Sequence, residues 1–474
     1  MTPSKYSRPS ARIIITEAKE QVRNKRGRHI CRDQTDIQYK HKVIPAFFFR
    51  APTDRQVDLM RVLAAIAHAD RRIARRLSIC WGRDIEIEIP VSDPDFWSSV
   101  GKKLVGILDI LSGDRWRFSF RKLNESIQFP MQRELEFPAQ GQPAMAYSNG
   151  LDSFASARLV ASGAVPLGAR AAQKHDLVLV TTGKAFNAQL KAEITNFGYS
   201  TRQVSVPFSI RRIGHGFELR EQSYRTRALA FQTVAALAAS QSQSNIVIIP
   251  ESGQGSIGPW LTVTGHEAAD LRTHPIFSAL LSEWLELVLE RPVRFEHPHI
   301  WETKGETLTR LASNNIHSGW AETFSCAVQA RHQRTKGRRL QCGLCPNCLL
   351  RRQSLLAAGL NDPDSNYDSH HLYAGDRTPS LRKRIAQGLL PLVEFAQVRA
   401  TPLTSRTTDR LIVHLSRLVA DDPNHRYPHN VRLKLEEMGR RTNRLSEIHK
   451  DELTSFLSQR PKSSLLRQMG EALL

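Results

Sequence analysis

The stretch that decides the fold runs Ala144-Met145-Ala146-Tyr147, then Ser148-Asn149-Gly150-Leu151-Asp152-Ser153, then Phe154-Ala155-Ser156-Ala157-Arg158-Leu159-Val160-Ala161, closing at Gly163. A short apolar run, a tight polar turn and an apolar-rich run predict a strand, a loop and a helix. Backbone N–H groups of such a loop and the helix N-terminus point at one place, where an anion is favoured. Gly150 permits close backbone approach, and Asn149 tolerates positive φ better than most residues. Ser148 and Ser153 add hydroxyl donors. No Lys follows the turn, so the Walker arrangement is excluded.

Outward from this junction, strand and helix patterns alternate in the manner of a doubly wound parallel sheet. Strands are expected over 144–147, 177–181, 203–206, 245–249 and 293–295, with helices over 153–161, 186–197, 220–240 and 276–290. Right-handed crossovers place ligands outside the carboxyl ends of the strands. Lys184 follows the second strand there, and the Gly-rich segment 251–258 follows the fourth. Glu251 and Gln254 could read the edge of a purine-like base, because a carboxylate accepts from ring N–H and amino groups; the bland reading is a flexible crossover. Lys304 and Glu306 lie early on a helix; they could reach phosphate, and on residue type alone the favoured reading is surface charge.

Four of the six cysteines are Cys326, Cys342, Cys345 and Cys348, the last three in Cys-Gly-Leu-Cys-Pro-Asn-Cys. Two-residue gaps let thiolates converge on one ion, and Cys326 would complete a tetrahedral Zn²⁺ site. An iron–sulfur cluster also suits four thiolates. The chain starts without an apolar segment and cleavage site of the secretory kind, so disulfides are not expected and a cytoplasmic location is. Cys31 and Cys80 read as isolated thiols.

The hexapeptide resembles the PP-loop of ATP pyrophosphatases, Ser-Gly-Gly-x-Asp-Ser, with Asn149 in place of the first Gly. Followed by a Cys…CxxCxxC cluster, it resembles the QueC family, the 7-cyano-7-deazaguanine synthases. Arg227-Ala228-Leu229-Ala230-Phe231 is similar to that family's Arg-Asn-x-x-Phe helix start, with Ala228 replacing Asn. Thr303-Lys304-Gly305-Glu306-Thr307-Leu308 resembles its Thr-Lys-x-Glu-Ile segment, and Cys348-Leu349-Leu350-Arg351 its Cys-x-x-Arg ending. The resemblance covers about 143–359. It implies a PP-loop (HUP-like) fold and a ligase that adenylates a 7-carboxy-7-deazaguanine-like acid with ATP, then forms an amide and nitrile with ammonia. It further implies ATP held by Tyr147, Ser148, Asn149, Gly150, Leu151, Asp152, Ser153, Lys184 and Arg227. Asp152 and Ser153 would be catalytic, Mg²⁺ would sit on the phosphates, and the zinc knuckle would be structural.

The whole chain bounds the remainder. At 474 residues it can hold two or three domains, and no apolar run is long enough for a membrane span. The +21 net charge, dominated by Arg at 71–72, 75–76, 211–212, 331–339 and 440–441, favours a polyanion: nucleic acid or an acidic protein. Residues 1–42 read as a basic leader, 43–140 as an N-terminal α+β domain, 141–360 as the PP-loop domain with its knuckle, and 361–474 as a helical extension. Strict alternation over 85–91 and 115–120, and an amphipathic helix carrying Trp97, Val100, Leu104 and Leu108, define the second segment. Its Trp81-Gly82-Arg83 and Leu111-Ser112-Gly113-Asp114-Arg115-Trp116 are similar to QueC-like proteins of bacterial anti-phage systems. That similarity implies protein partners from a defence operon, one of whose amines would replace ammonia. Two other classes stay open: a tRNA-modifying PP-loop enzyme of thiolase type, and a non-catalytic nucleotide-binding scaffold.

Overall fold

Three consecutive isoleucines, Ile13, Ile14 and Ile15, are buried in a strand within the segment read as a basic leader. The computed structural model describes residues 10–17, 20, 28–40, 42–47, 51–75, 81–124, 141–148, 150–167, 173–182, 201–206, 208–210, 221, 223–261, 269–326, 334–335, 338–368, 378–398 and 435–474. Asn149, Lys184, Cys80, the helices expected over 186–197 and 409–419, and the basic pairs at 211–212 lie outside the described residues.

The N-terminal part contributes β1 (Ser10–Thr16), β2 (Arg28–Arg32), β3 (Ile37–Tyr39), α1 (Val43–Phe47), α2 (Asp54–Arg72), β4 (Asp84–Val91), α3 (Pro94–Ser112) and β5 (Arg115–Lys122). Strands β2-β1-β4-β5 form one sheet in that order, every pair parallel. The all-parallel sheet corrects the α+β expectation, and it takes two of its strands from the segment read as a basic leader. Helix α3 returns the chain to the start of β5, which makes β4-α3-β5 a parallel crossover unit. It starts at Asp93, whose side chain accepts from the Phe96 N–H, with Pro94 next, and stops at Gly113 in left-handed conformation. The stripe Trp97, Val100, Leu104 and Leu108 is buried as its spacing predicts. In β4, Ile85, Ile87 and Ile89 are buried while Glu86 and Glu88 pair with Arg12 of β1 at 3.2 and 3.1 Å.

The central sheet is built from β6 (Ala144–Ala146), β7 (Leu177–Thr181), β8 (Thr201–Ser205), β10 (Ile246–Ile248) and β11 (Arg294–Glu296). Its order is β11-β10-β6-β7-β8, all parallel. All five expected strands are present within a residue or two at each end. Helix α4 (Leu151–Ser162) follows β6, α5 (Arg227–Gln241) precedes β10, the short α6 (Gly253–Ser256) and α7 (Gly258–Leu261) follow β10, and α8 (Pro275–Leu289) precedes β11. Alternate residues of β7 explain the two covered faces. Val178 and Val180 join one core with α5 and α8, whereas Leu177 and Leu179 join another with α4. The first core also takes in Ile85, Ile87, Trp97 and Leu104, so both sheets share one apolar interior. β3 pairs antiparallel with β9 (Phe208–Ile210), a further tie between the two parts.

Beyond β11 come α9 (Lys304–Ser313), α10 (Pro346–Ala357), α11 (Pro379–Ala396), α12 (Leu435–Ser458) and α13 (Leu465–Leu473). Leu349, Leu389, Phe456 and Leu466 bury the last four against one another. Among the described residues no helix is long and apolar enough to cross a membrane.

A share of the positive charge is internal. Asp114 receives Arg75 through two bonds of 2.9 Å and Arg83 at 2.7 Å, and Arg83 also meets Asp70 at 2.6 Å. All four side chains are essentially without solvent contact. Arg75, read from sequence as part of a basic surface, is therefore a core residue. Arg83 and Asp114, from the two N-terminal signatures, are ion partners. The other oxygen of Asp70 accepts both the N–H and the hydroxyl of Thr226 at 2.9 Å, which joins this network to the start of α5. Removing one charge leaves guanidiniums buried without compensation. Asp114→Asn is expected to lower unfolding stability by roughly 3–5 kcal/mol in urea titration; a loss below about 1 kcal/mol would show that the network contributes little.

Candidate functional site at the strand-order reversal

Strand order reverses between β6 and β10. The chain leaves β6 toward β7 on one side, and β10 leads to β11 on the other. At such a reversal the connecting loops part and leave a crevice at the carboxyl ends of the strands. Three segments meet there: the turn after β6, the segment after β10, and α9 after β11.

The turn is short because β6 ends in the sheet. The Tyr147 N–H donates to Val180 O at 2.8 Å, and its side chain is buried. The Tyr147 N–H is thus taken up by the neighbouring strand, one residue past the end of β6. Gly150 caps α4, with its carbonyl accepting from the Phe154 N–H. The Ser148 and Ser153 hydroxyls lie 3.0 Å apart, and the Gly150 N–H donates to Ser148 Oγ at 3.2 Å. Leu151 is fully buried, so only its backbone can face the crevice. Asp152, in the first turn of α4, is half-buried and directed to the third segment.

That third segment is organised by a capping box. Thr303 Oγ1 accepts from the Glu306 N–H at 3.0 Å, and Glu306 Oε2 accepts from the Thr303 N–H at 2.9 Å. The first residue inside the helix is Lys304. Its Nζ lies 2.8 Å from Asp152 and 4.0 Å from Glu251, with the side chain buried. The reading of Lys304 as surface charge is therefore corrected. The signal was present: Thr-x-x-Glu marks a helix start and leaves the residue after Thr at its positive end. Burial alone would lower the Lys304 pKa, yet the Asp152 and Glu251 charges hold it above the ordinary value. Glu251 is likewise raised, to about 7, by burial and by the Asp152 charge, against the opposing Lys304 and Arg272. A Cβ at residue 255 would meet the Glu251 carboxylate in its present position, so glycine there leaves that side chain room.

Gln254 was expected at a substrate edge. Instead its amide is engaged within the protein: Oε1 accepts the Lys304 N–H at 2.7 Å, and Nε2 donates to His449 Nδ1 at 2.8 Å. His449 Nε2 donates to Leu392 O at 2.9 Å, so Nδ1 is the acceptor, and burial lowers its pKa to about 4. Glu452, one turn further along α12, accepts from Thr303 Oγ1 at 2.5 Å and from Gln353 Nε2 at 3.3 Å. The C-terminal extension thus forms the back wall of the crevice, which sequence reasoning missed. His449 and Glu452 look like ordinary polar positions until α12 is docked. Arg227 stands at the first position of α5 and lines a cavity there.

The cysteines converge as their spacing predicts. The four Sγ atoms lie within 4.8 Å of one another, with Cys342–Cys348 at 3.8 Å and Cys326–Cys345 at 4.0 Å. A Zn–S bond of about 2.3 Å in a tetrahedron sets sulfurs about 3.8 Å apart. The site could hold a metal ion such as zinc, and the spacing suits one ion better than a multi-iron cluster, whose ligands stand farther apart. Cys31 is buried with its Sγ 3.6 Å from His68 Nδ1.

No family model matches the chain, and no curated protein matches it.

Two outcomes follow. The purified protein should be colourless and carry about one zinc per chain by elemental analysis, and Cys348→Ser should lose the metal and much of the thermal stability; absorbance near ~400 nm would instead indicate a cluster. Burial, then the Glu306 charge, raises Glu452 from 4.5 to about 7 in the folded protein. The folded state therefore holds that proton more tightly than the unfolded chain. The ionisation penalty is absent below about pH 4.5 and complete above about pH 7. Glu452→Gln should stabilise the protein relative to wild type by roughly 2–3 kcal/mol above pH 7 and change it little at pH 4.5, in paired unfolding titrations.

Proposed function

We propose that the protein is an ATP-dependent ligase of PP-loop type, which adenylates the carboxylate of a 7-deazaguanine-like acid and passes the acyl group to an amine. The observation that carries this reading is the meeting of the 148–153 turn, the Asp152–Lys304 pair and Glu251 at the strand-order reversal. The resemblance of residues 143–359 to the QueC family supports the choice of acid.

In this reading the carboxylate attacks the α-phosphorus of ATP, the bond to the β-phosphate oxygen breaks, and pyrophosphate leaves. An amine then attacks the acyl adenylate, releasing AMP and a proton and forming the amide. The turn's N–H groups and the Ser148 and Ser153 hydroxyls hold the leaving pyrophosphate. Lys304 turns from Asp152 to the phosphates, and the freed Asp152 carboxylate is available to Mg²⁺. Glu251 stands close to ionisation at neutral pH and is suited to take the amine proton. The knuckle's metal is closed by four sulfurs and structural. The N-terminal signatures support a protein partner from a defence system as the amine source, with the chain acting in the cytoplasm. The single-ion sulfur spacing speaks against the thiolase alternative.

Incubation of the full chain with ATP, Mg²⁺ and 7-carboxy-7-deazaguanine should release pyrophosphate. Loss of one preorganised donor typically costs about 10²–10³ in rate, so Ser153→Ala should fall within that range and Asp152→Ala at least as far. No pyrophosphate with any amine, ammonia included, would leave a nucleotide-binding scaffold as the better description.

A further inference from the structure

A cavity of about 230 Å³ opens at the start of α5, on the Arg272 side of Glu251. Ser223, Tyr224, Arg225 and Arg227 line one side, and Asp270 and Arg272 the other. Three of the lining side chains are guanidiniums and one is a carboxylate. None of the 148–153 turn, Asp152 or Lys304 lines it.

The walls are held from outside. Asp70, anchored by Arg83, binds the Thr226 N–H and hydroxyl and so fixes the residue between Arg225 and Arg227. The Arg225 guanidinium lies 4.8 Å over the Trp81 ring, which also carries Arg75 at 4.5 Å. Tyr224 is kept at φ 41°, a left-handed conformation unusual for an aromatic residue, and its carbonyl accepts from the Arg227 N–H. On the far wall the Arg272 carbonyl accepts from Gln232 Nε2 at 2.8 Å, and its guanidinium meets Asp270 at 3.3 Å. Burial and the charge of Arg272 depress the Arg227 pKa, so an anion between the two would relieve a repulsion already present. Planar guanidiniums match the two-oxygen edge of a carboxylate or phosphate.

We propose that this cavity is an oxyanion site distinct from the 148–153 turn, taking a carboxylate or phosphate carried by a reactant. It rests on the ligase reading only for which reactant bears the anion. A volume of about 230 Å³ admits such a group with a few attached atoms. The N-terminal unit, through Asp70 and Trp81, shapes a binding site rather than merely adding surface.

The test is calorimetric titration of the full-length protein at low ionic strength with two probes, inorganic phosphate and malonate. Wild type should show one saturable site for at least one of them. Arg227→Gln and Arg272→Gln should each weaken it about tenfold or more; Arg272→Lys, at a half-exposed position that tolerates change, should recover part of the loss. Ser153→Ala and Asp152→Ala should leave this binding within about twofold even where pyrophosphate release is lost, so the site and the ligase reading fail separately. Preference for phosphate would assign the anion to a nucleotide or nucleic acid, and preference for malonate to a carboxylic acid or protein side chain. No saturable binding of either probe would overturn the proposal. So would binding indifferent to both Gln variants, or binding lost in Ser153→Ala.

Discussion

An ammonium group removed from water must be met by negative charge, and Lys304 is met by two carboxylates from two other segments. Asp152 comes from the turn after β6 and Glu251 from the segment after β10, while Lys304 itself follows β11. One buried cation therefore ties together three loops that are far apart in the chain. It also holds two acids side by side: Asp152 is paired directly with Lys304, and burial beside the Asp152 charge raises Glu251 to about 7. The strand-order reversal makes this meeting geometrically available.

Both extensions turn inward upon the central sheet. From the N-terminal side, the Asp70–Arg83–Asp114–Arg75 network reaches Thr226 and so sets where Arg225 and Arg227 stand. From the C-terminal side, Glu452 and His449 hold Thr303, Gln254 and Gln353, which fixes the start of α9 and hence Lys304. Glycine at 305 lets α12 approach, since a Cβ there would meet the Glu452 carboxylate. A net charge of +21 invites a picture of basic surface, yet Arg61, Arg75, Arg83 and Arg351 are buried. Charge counted along a chain does not say on which side of the surface it lies.

What could be read without a structure was local. The five strands of the central sheet announce themselves as short apolar runs between helical patterns, and the loop between 147 and 154 is legible from its turn residues. The CxxCxxC spacing brings three sulfurs together by itself, and Cys326 arrives within the same few ångströms. The errors arose where a residue's role depends on what packs against it. Ile13 to Ile15 look unremarkable in a charged leader until β2 and β4 flank them. Gln254 resembles a base-reading amide until His449 and the Lys304 N–H claim both ends of it.

The sequence by itself determined the alternation of strand and helix, the tight turn at a helix N-terminus, the capping box at Thr303 and the sulfur cluster. Each rests on interactions within a few residues, so spacing suffices. Only the tertiary structure decided that the N-terminal strands run parallel, that Lys304 is a buried ion partner and Arg75 a core residue, and that α12 closes the crevice. Those outcomes depend on desolvation and on contacts between residues as distant as Thr303 and Glu452 or Asp70 and Thr226. Burial is a property of the assembled chain, and burial decides whether a charge must find a partner.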